Sequence, residues 1–208
     1  MPVKQSLLPM PNINTNILCQ QYLNLLYQNI RGHGVNNRQN KNISETYGEI
    51  LYQSIDTLLS EIPLTEEDVF FDLGSGLGKA VTQIFLKSAV KESAGIEIIP
   101  ELYQTSLAVA QKVQHDLPDF YAGGRKLTFH LGSFLETSFA AASVLLIGSP
   151  CFSQQMLYPL GKIINQLSTI HSVLTLRPIN TLERLSFKKV IRIECTWDSA
   201  LCYIYRRK

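Results

Sequence analysis

The stretch "FDLGSGLGKAV", residues 71–81, decides how this chain folds and what it holds. An apolar run ends in Asp72, glycines follow at Gly74, Gly76 and Gly78, and Lys79 opens an amphipathic segment. Such a strand–glycine turn–helix suits three ligand classes. A triphosphate cradle needs G-x-x-x-x-G-K-[ST]. Counting back from Gly78-Lys79 puts Leu73 at the first glycine, and Ala80 replaces the magnesium-binding hydroxyl. That reading fails twice. A dinucleotide fingerprint wants G-x-G-x-x-G, whereas the spacing here is G-x-G-x-G, which weakens that reading and leaves it open.

The third class is S-adenosylmethionine, whose amino-acid end carries an ammonium for an acid such as Asp72 and whose adenosine has no phosphates. A second acid, at the end of the next strand and about 20 residues on, holds ribose hydroxyls in sites of this type. Glu97 in "GIEII" occupies that place. It supports a ribose in general and no one cofactor in particular. The plain alternative is an ordinary tight turn with a solvated strand-end acid.

Working outward, strand-like and helix-like runs alternate. "VFFDL" (69–73), "AGIEII" (94–99), "KLTFHL" (126–131), "SVLLIG" (143–148) and "SVLTLR" (172–177) are continuous apolar runs. Such runs belong to parallel strands covered on both faces. Helical patterns over "GKAVTQIFLKSA", "PELYQTSLAVAQKVQHDL" and "QQMLYPLGKIINQL" separate them. "FKKVIRIECTW" and "ALCYIYRR" follow with only "DS" between them, the signature of an antiparallel hairpin. The fold class is therefore α/β, a seven-stranded, mostly parallel sheet ending in an antiparallel pair. Upstream, Ile50, Leu51, Ile55, Leu58, Leu59 and Ile62 have near-helical spacing, closed by Pro63. Residues 1–45 read as a separate extension, with a helix in "NINTNILCQQYLNLLYQNI" and a polar loop in "RGHGVNNRQNKN". Residues 46–208 form the core domain.

Composition bounds the rest. At 208 residues and 45% hydrophobic content, one domain buries a sufficient core. The net charge of +2 exerts little pull toward nucleic acid, and the tight basic clusters are "FKK" (187–189) and "RRK" (206–208). No apolar run is long enough to span a membrane, and no secretory leader is visible, so the expectation is a cytoplasmic monomer. Cys19, Cys151, Cys195 and Cys202 lack C-x-x-C spacing, and His33, His115, His130 and His171 stand apart, so no metal site is expected.

"TYGEILYQSIDTLL" (46–59), "EEDVFFDLGSGLGKAVTQ" (66–83) and "GIEIIPEL" (95–102) together resemble the non-SET histone-lysine methyltransferases called Disruptor of telomeric silencing. Those enzymes carry a Y-G-E segment ahead of D-L-G-S-G-x-G. "GSFLE" (132–136), "ASVLLIGSPCF" (142–152) and "CTWDSALCYIY" (195–205) resemble later family segments. The resemblance implies a Rossmann-like class I methyltransferase sheet, S-adenosylmethionine as cofactor, and a protein lysine, of a histone or another protein, as acceptor. By position, Tyr47 and Gly48 would contact the methionine part, with Tyr47-Gly48-Glu49 beginning the helix before the first strand. Asp72, Gly74, Gly76 and Gly78 would form the cofactor floor, Glu97 would hold the ribose, and Ser133 and Phe134 would face adenine. Phe152, Trp197 and Tyr203 would line the lysine channel. Four positions depart from the family pattern: Ser133 replaces an acid, Gly148-Ser149 an Asn-Asn pair, and Lys79 a Gln. The same fold acting on a small molecule, and a non-catalytic cofactor-binding module, are the rival readings.

Overall fold

The first strand, β1 (Val69–Leu73), is buried at every position, as a continuous apolar run requires when helices cover both sheet faces. It is described with its surroundings in a computed structural model covering residues 13–30, 48–148 and 150–208. Four further parallel strands extend the sheet: β2 (Glu92–Glu97), β3 (Lys126–Leu131), β4 (Val144–Ile147) and β5 (Ser172–Thr175). The terminal hairpin, β6 (Leu185–Glu194) and β7 (Ser199–Arg207), joins antiparallel through β7 on β5. The sheet order is β3-β2-β1-β4-β5-β7-β6, so the order reverses between β1 and β4. In open α/β sheets ligands bind at the carboxyl ends of strands at such a switch point.

Among the described residues five α-helices accompany the sheet: α1 (Ile13–Tyr27), α2 (Tyr52–Glu61), α3 (Lys79–Lys87), α4 (Pro100–Asp116) and α5 (Gln154–Gln166). Pro100 starts α4 at the position where its missing N–H goes unused, and the Ser153 hydroxyl caps α5 by accepting from the Met156 N–H at 3.3 Å. The core divides between the two sheet faces. Phe70, Leu77, Val81, Phe85 and Ile204 pack on the side of α2, α3 and α4. Leu73, Ile96, Leu145, Leu157 and Ile164 pack on the side of α5. No helix among the described residues is long and apolar enough to cross a membrane.

One expectation is corrected. Residues 48–51 do not begin the helix that precedes β1, which starts at Tyr52 after an extended Leu51. This segment lies instead along the end of β6. The Leu51 N–H donates to Glu194 O at 2.9 Å, Thr196 N–H to Glu49 O at 2.8 Å, and Ile50 bridges Cys195. Backbone pairing with the hairpin satisfies groups that a longer α2 would have paired internally, and it draws the segment out of helical geometry.

Candidate cofactor-binding site

Each part of the glycine turn is built by a local necessity. Gly74, Gly76 and Gly78 all have positive φ, +87°, +56° and +78°, where a Cβ is strained. Gly74 and Ser75 donate their N–H groups to Ile96 O at 2.8 and 3.0 Å, tying the turn to the end of β2. A Cβ on Gly74 would lie 2.8 Å from Phe152 Cζ. Gly78 caps α3 and faces Phe129, so it packs helix to sheet and does not line the cavity described next.

Above the turn, at the ends of β1, β2 and β4, opens a cavity of about 440 Å³. That is within the ~300–1,000 Å³ typical of small-molecule and cofactor sites. Gly48, Asp72, Gly74, Gly76, Glu97, Ser133, Phe134, Phe152 and Trp197, all singled out from sequence, contribute to its wall. Tyr203 does not; it is partly buried beside the Phe187 ring, with centroids 6.5 Å apart. Tyr47 and Ser149 lie outside the described residues.

The electrostatics of this cavity are acidic. Its charged lining comprises Glu49, Asp72, Glu97 and Lys79, three acids against one base. The Lys79 ammonium donates to Glu49 Oε2 at 2.6 Å, so its charge is already matched. Asp72 is 5% exposed, and its Oδ1 has no hydrogen-bond partner among the described residues. Burial, reinforced by Glu97, pushes its carboxyl up to about 7. Ser75 Oγ, in the same wall, is equally unpartnered. Buried polar atoms without partners are uncommon and call for a ligand, an ion or a water.

Glu97 is held differently. Its Oε2 accepts the Gly76 N–H at 2.7 Å and its Oε1 the Ile99 N–H at 2.8 Å. Burial raises its pKa, and these backbone donors oppose the rise. Each oxygen keeps a lone pair for a further donor, so the side chain is oriented and still receptive.

The aromatic part of the wall comes from three distant segments. Phe134 and Phe152 pack tilted with centroids 5.0 Å apart, over the glycine turn. The loop bearing Phe152 is fastened by Arg177, whose Nη1 donates to Phe152 O at 3.2 Å and Pro150 O at 3.4 Å. Trp197, at the hairpin turn, lies against Gly48 so closely that a Cβ there would come within 2.2 Å of its Cε3. The Gly48–Trp197 packing explains why glycine stands at 48. Ser133 Oγ accepts the Leu135 N–H at 3.2 Å and is committed to its own turn. Gly148 leaves a bare backbone beside Ile50 and Asp72.

Sequence reasoning did not single out Glu49, Ser75, Cys151, Met156 or Arg177 for this site. Glu49, Ser75 and Cys151 lie inside the quoted Y-G-E, D-L-G-S-G and "ASVLLIGSPCF" segments and were within reach of that reasoning; Met156 and Arg177 carry no local signal.

A family model described as "Histone methylation protein DOT1" matches residues 33–195. The histone-lysine N-methyltransferase, H3 lysine-79 specific, of Candida albicans is 29% identical over 140 residues, covering 64% of this chain and 10% of that protein. The enzyme of the same name from Candida glabrata is 24% identical over 155 residues, 70% of this chain and 24% of that protein. The one from Caenorhabditis elegans is 37% identical over 67 residues, 31% and 7% of the two chains. This chain thus spans a quarter or less of the length of these relatives. Among solved structures, an RNA methyltransferase from Salinibacter ruber with S-adenosyl-L-homocysteine aligns with TM-score 0.53 at 17% identity, covering 76% of this chain and 92% of that one. M. capricolum TrmK in complex with S-adenosyl-homocysteine aligns with TM-score 0.54 at 12% identity, covering 77% and 70%. At such identities these structures speak to the fold, a Rossmann-like methyltransferase sheet. The motif set from the Y-G-E segment to the terminal Trp hairpin and the match over 33–195 agree: the chain belongs to the DOT1 family of histone methylation proteins.

Proposed function

We propose that this protein is an S-adenosylmethionine-dependent protein-lysine N-methyltransferase, with a histone lysine as the leading acceptor. The observation that carries the cofactor assignment is the buried Asp72 carboxyl, whose Oδ1 has no partner among the described residues, in a cavity lined by three acids and one lysine that pairs with Glu49. A ligand with a cationic amino-acid end and no phosphates suits that cavity; a dinucleotide would bring phosphates against Asp72 and Glu97. Asp72 Oδ1 would accept from the ammonium, Glu97 would accept from ribose hydroxyls, and Phe134 would pack near adenine.

Bound S-adenosylmethionine supplies an activated methyl group on a sulfonium. The chain's own contribution is positioning and exclusion of water. Phe152 and Trp197 border the side by which an amine enters, and an apolar aromatic border disfavours a charged lysine, keeping the nucleophilic neutral form accessible. Methyl transfer needs the amine aligned at close range, which a sleeve of this kind provides. The membership in a histone methylation family and the names of the relatives support lysine of a protein as acceptor. Gly148 favours a second reading, a module that binds the cofactor without turnover, because it places no polar side chain beside Asp72. Cys19, Cys195 and Cys202 form no disulfide among the described residues, which suits a reducing compartment, the cytoplasm among them.

Thermal melts with S-adenosylmethionine, S-adenosylhomocysteine and a reduced dinucleotide test the cofactor. At a hundredfold excess over Kd a one-site ligand adds ~2.7 kcal/mol, a rise on the order of 5–11 °C for a chain this size. A rise with the adenosyl ligands alone is expected. A rise with the dinucleotide alone overturns the assignment.

A further inference from the structure

The glycine turn is held from two sides. On one, Glu97 accepts the Gly76 N–H. On the other stands Tyr27, at the end of α1, in a helix that precedes the residues matched by the family model. Tyr27 is 6% exposed, and its hydroxyl lies 3.3 Å from Leu77 O and 3.1 Å from Thr82 Oγ1. The arrangement is satisfied when Thr82 donates to Tyr27 and Tyr27 donates to the Leu77 carbonyl, inside the turn itself. The Tyr27 ring has a second contact: the Lys79 ammonium sits 5.2 Å from its centroid, within cation–π range. That ammonium grips Glu49, next to Gly48 in the opposite part of the cavity wall. One side chain of α1 therefore touches the glycine turn beneath the cavity, at Leu77 O, and, through Lys79, the segment that packs under Trp197.

We infer that Tyr27 is a positioning residue for the cofactor site, and that α1 acts as a brace which sets the glycine turn and the 48–51 segment in register. The inference rests on the reading of the cavity as an S-adenosylmethionine site. The hydroxyl and the ring have separable roles. The hydroxyl fixes the Leu77 peptide, and with it the turn between Gly76 and Gly78. The ring fixes Lys79 and Glu49. Tyr22, on the same helix, offers a control: its hydroxyl donates to Asp116 Oδ2 at 3.1 Å, joining α1 to α4 well away from the cavity.

The experiment is calorimetric titration of S-adenosylmethionine into the full chain and the variants Tyr27→Phe, Tyr27→Leu and Tyr22→Phe, with melts of each. Tyr27→Phe is expected to weaken binding about three- to tenfold, the range of one lost neutral hydrogen bond, and Tyr27→Leu further because the ring contact also goes. Tyr22→Phe is expected to lower the melting temperature of the free protein without changing affinity. Equal affinity in the wild type, Tyr27→Phe and Tyr27→Leu overturns the inference. So does an equal loss in Tyr22→Phe and Tyr27→Phe, because it would follow general loosening of α1. Absence of binding by the wild type instead overturns the cofactor reading, which separates the two failures.

Discussion

Asp72→Asn is expected to make the ligand-free protein more stable at pH 8 while abolishing its response to S-adenosylmethionine. Burial and the neighbouring Glu97 push the Asp72 carboxyl from 3.8 up to about 7. Each pH unit between those values corresponds to about 1.4 kcal/mol, so keeping the carboxylate ionised in the ligand-free fold costs about 4 kcal/mol above pH 7. The folded state binds the extra proton between the two values, so stability falls as pH rises through this window and the full penalty stands at pH 8. An asparagine removes the charge and retains the desolvation of an unpartnered amide, ~1–3 kcal/mol. The net gain is then ~1–3 kcal/mol at pH 8, a rise in Tm of roughly 2–12 °C at 2–4 °C per kcal/mol. The gain should shrink as pH falls below 7, where wild-type Asp72 takes up its proton. Cofactor affinity runs the other way: in the wild type it should increase as pH rises through about 7, because the ionised carboxylate pairs with the ammonium. Melts at pH 5.5 and 8, with and without the cofactor, read all of this. An Asn variant no more stable than wild type at pH 8, and still stabilised by S-adenosylmethionine, would refute the reasoning.

Three further outcomes are expected. Glu97→Ala should weaken cofactor binding by ~1.5–3 kcal/mol, the value of a lost charged hydrogen bond, as measured by calorimetry; unchanged affinity removes Glu97 from the ribose assignment. Gly74→Val should eliminate binding in a protein that still shows a cooperative melt, because φ of +87° and a 2.8 Å approach to Phe152 block the turn's geometry. Binding by that variant would show that Gly74 is not part of the floor. Gly48→Ala should reduce affinity by displacing Trp197, and in a Trp197→Ala background it should have little further effect; additive losses would mean that the two residues act separately.

How much of this was legible in the sequence depends on how local the signal was. "VFFDL" coincides with β1, since burial on both faces imposes a continuous apolar run that needs no partner to be recognised, whereas "KLTFHL" coincides with β3, an edge strand buried only at alternate positions, Leu127 and Phe129. Pro100 and the apolar spacing likewise marked α4. Residues 48–51 escape a sequence reading because Ile50 and Leu51 continue the helical spacing of Ile55 and Leu58, whereas the bonds from Leu51 N–H to Glu194 O and from Thr196 N–H to Glu49 O decide the conformation. Nothing local encodes a partner so far along the chain. The same holds within the site. Asp72 and Glu97 were identifiable from their places at strand ends, yet that Asp72 Oδ1 has no partner among the described residues while Glu97 holds two backbone donors emerges only in three dimensions. Lys79, which replaces the family's Gln, shows its role only through the fold, where its ammonium pairs with Glu49 Oε2 at 2.6 Å. Tyr203 resembles a family channel residue in sequence and stands outside the cavity wall, since the hairpin's alternation turns it toward Phe187.

The most direct test of the central claim is methyl transfer itself. The protein would be incubated with methyl-labelled S-adenosylmethionine and, in parallel, core histones, nucleosomes, a mixed protein lysate and total RNA, with Asp72→Asn as the inactive control. The account predicts label on lysine side chains of protein, located by mass spectrometry and absent with the Asn variant. Tight cofactor binding with no label in any protein, or label in RNA alone, would contradict it.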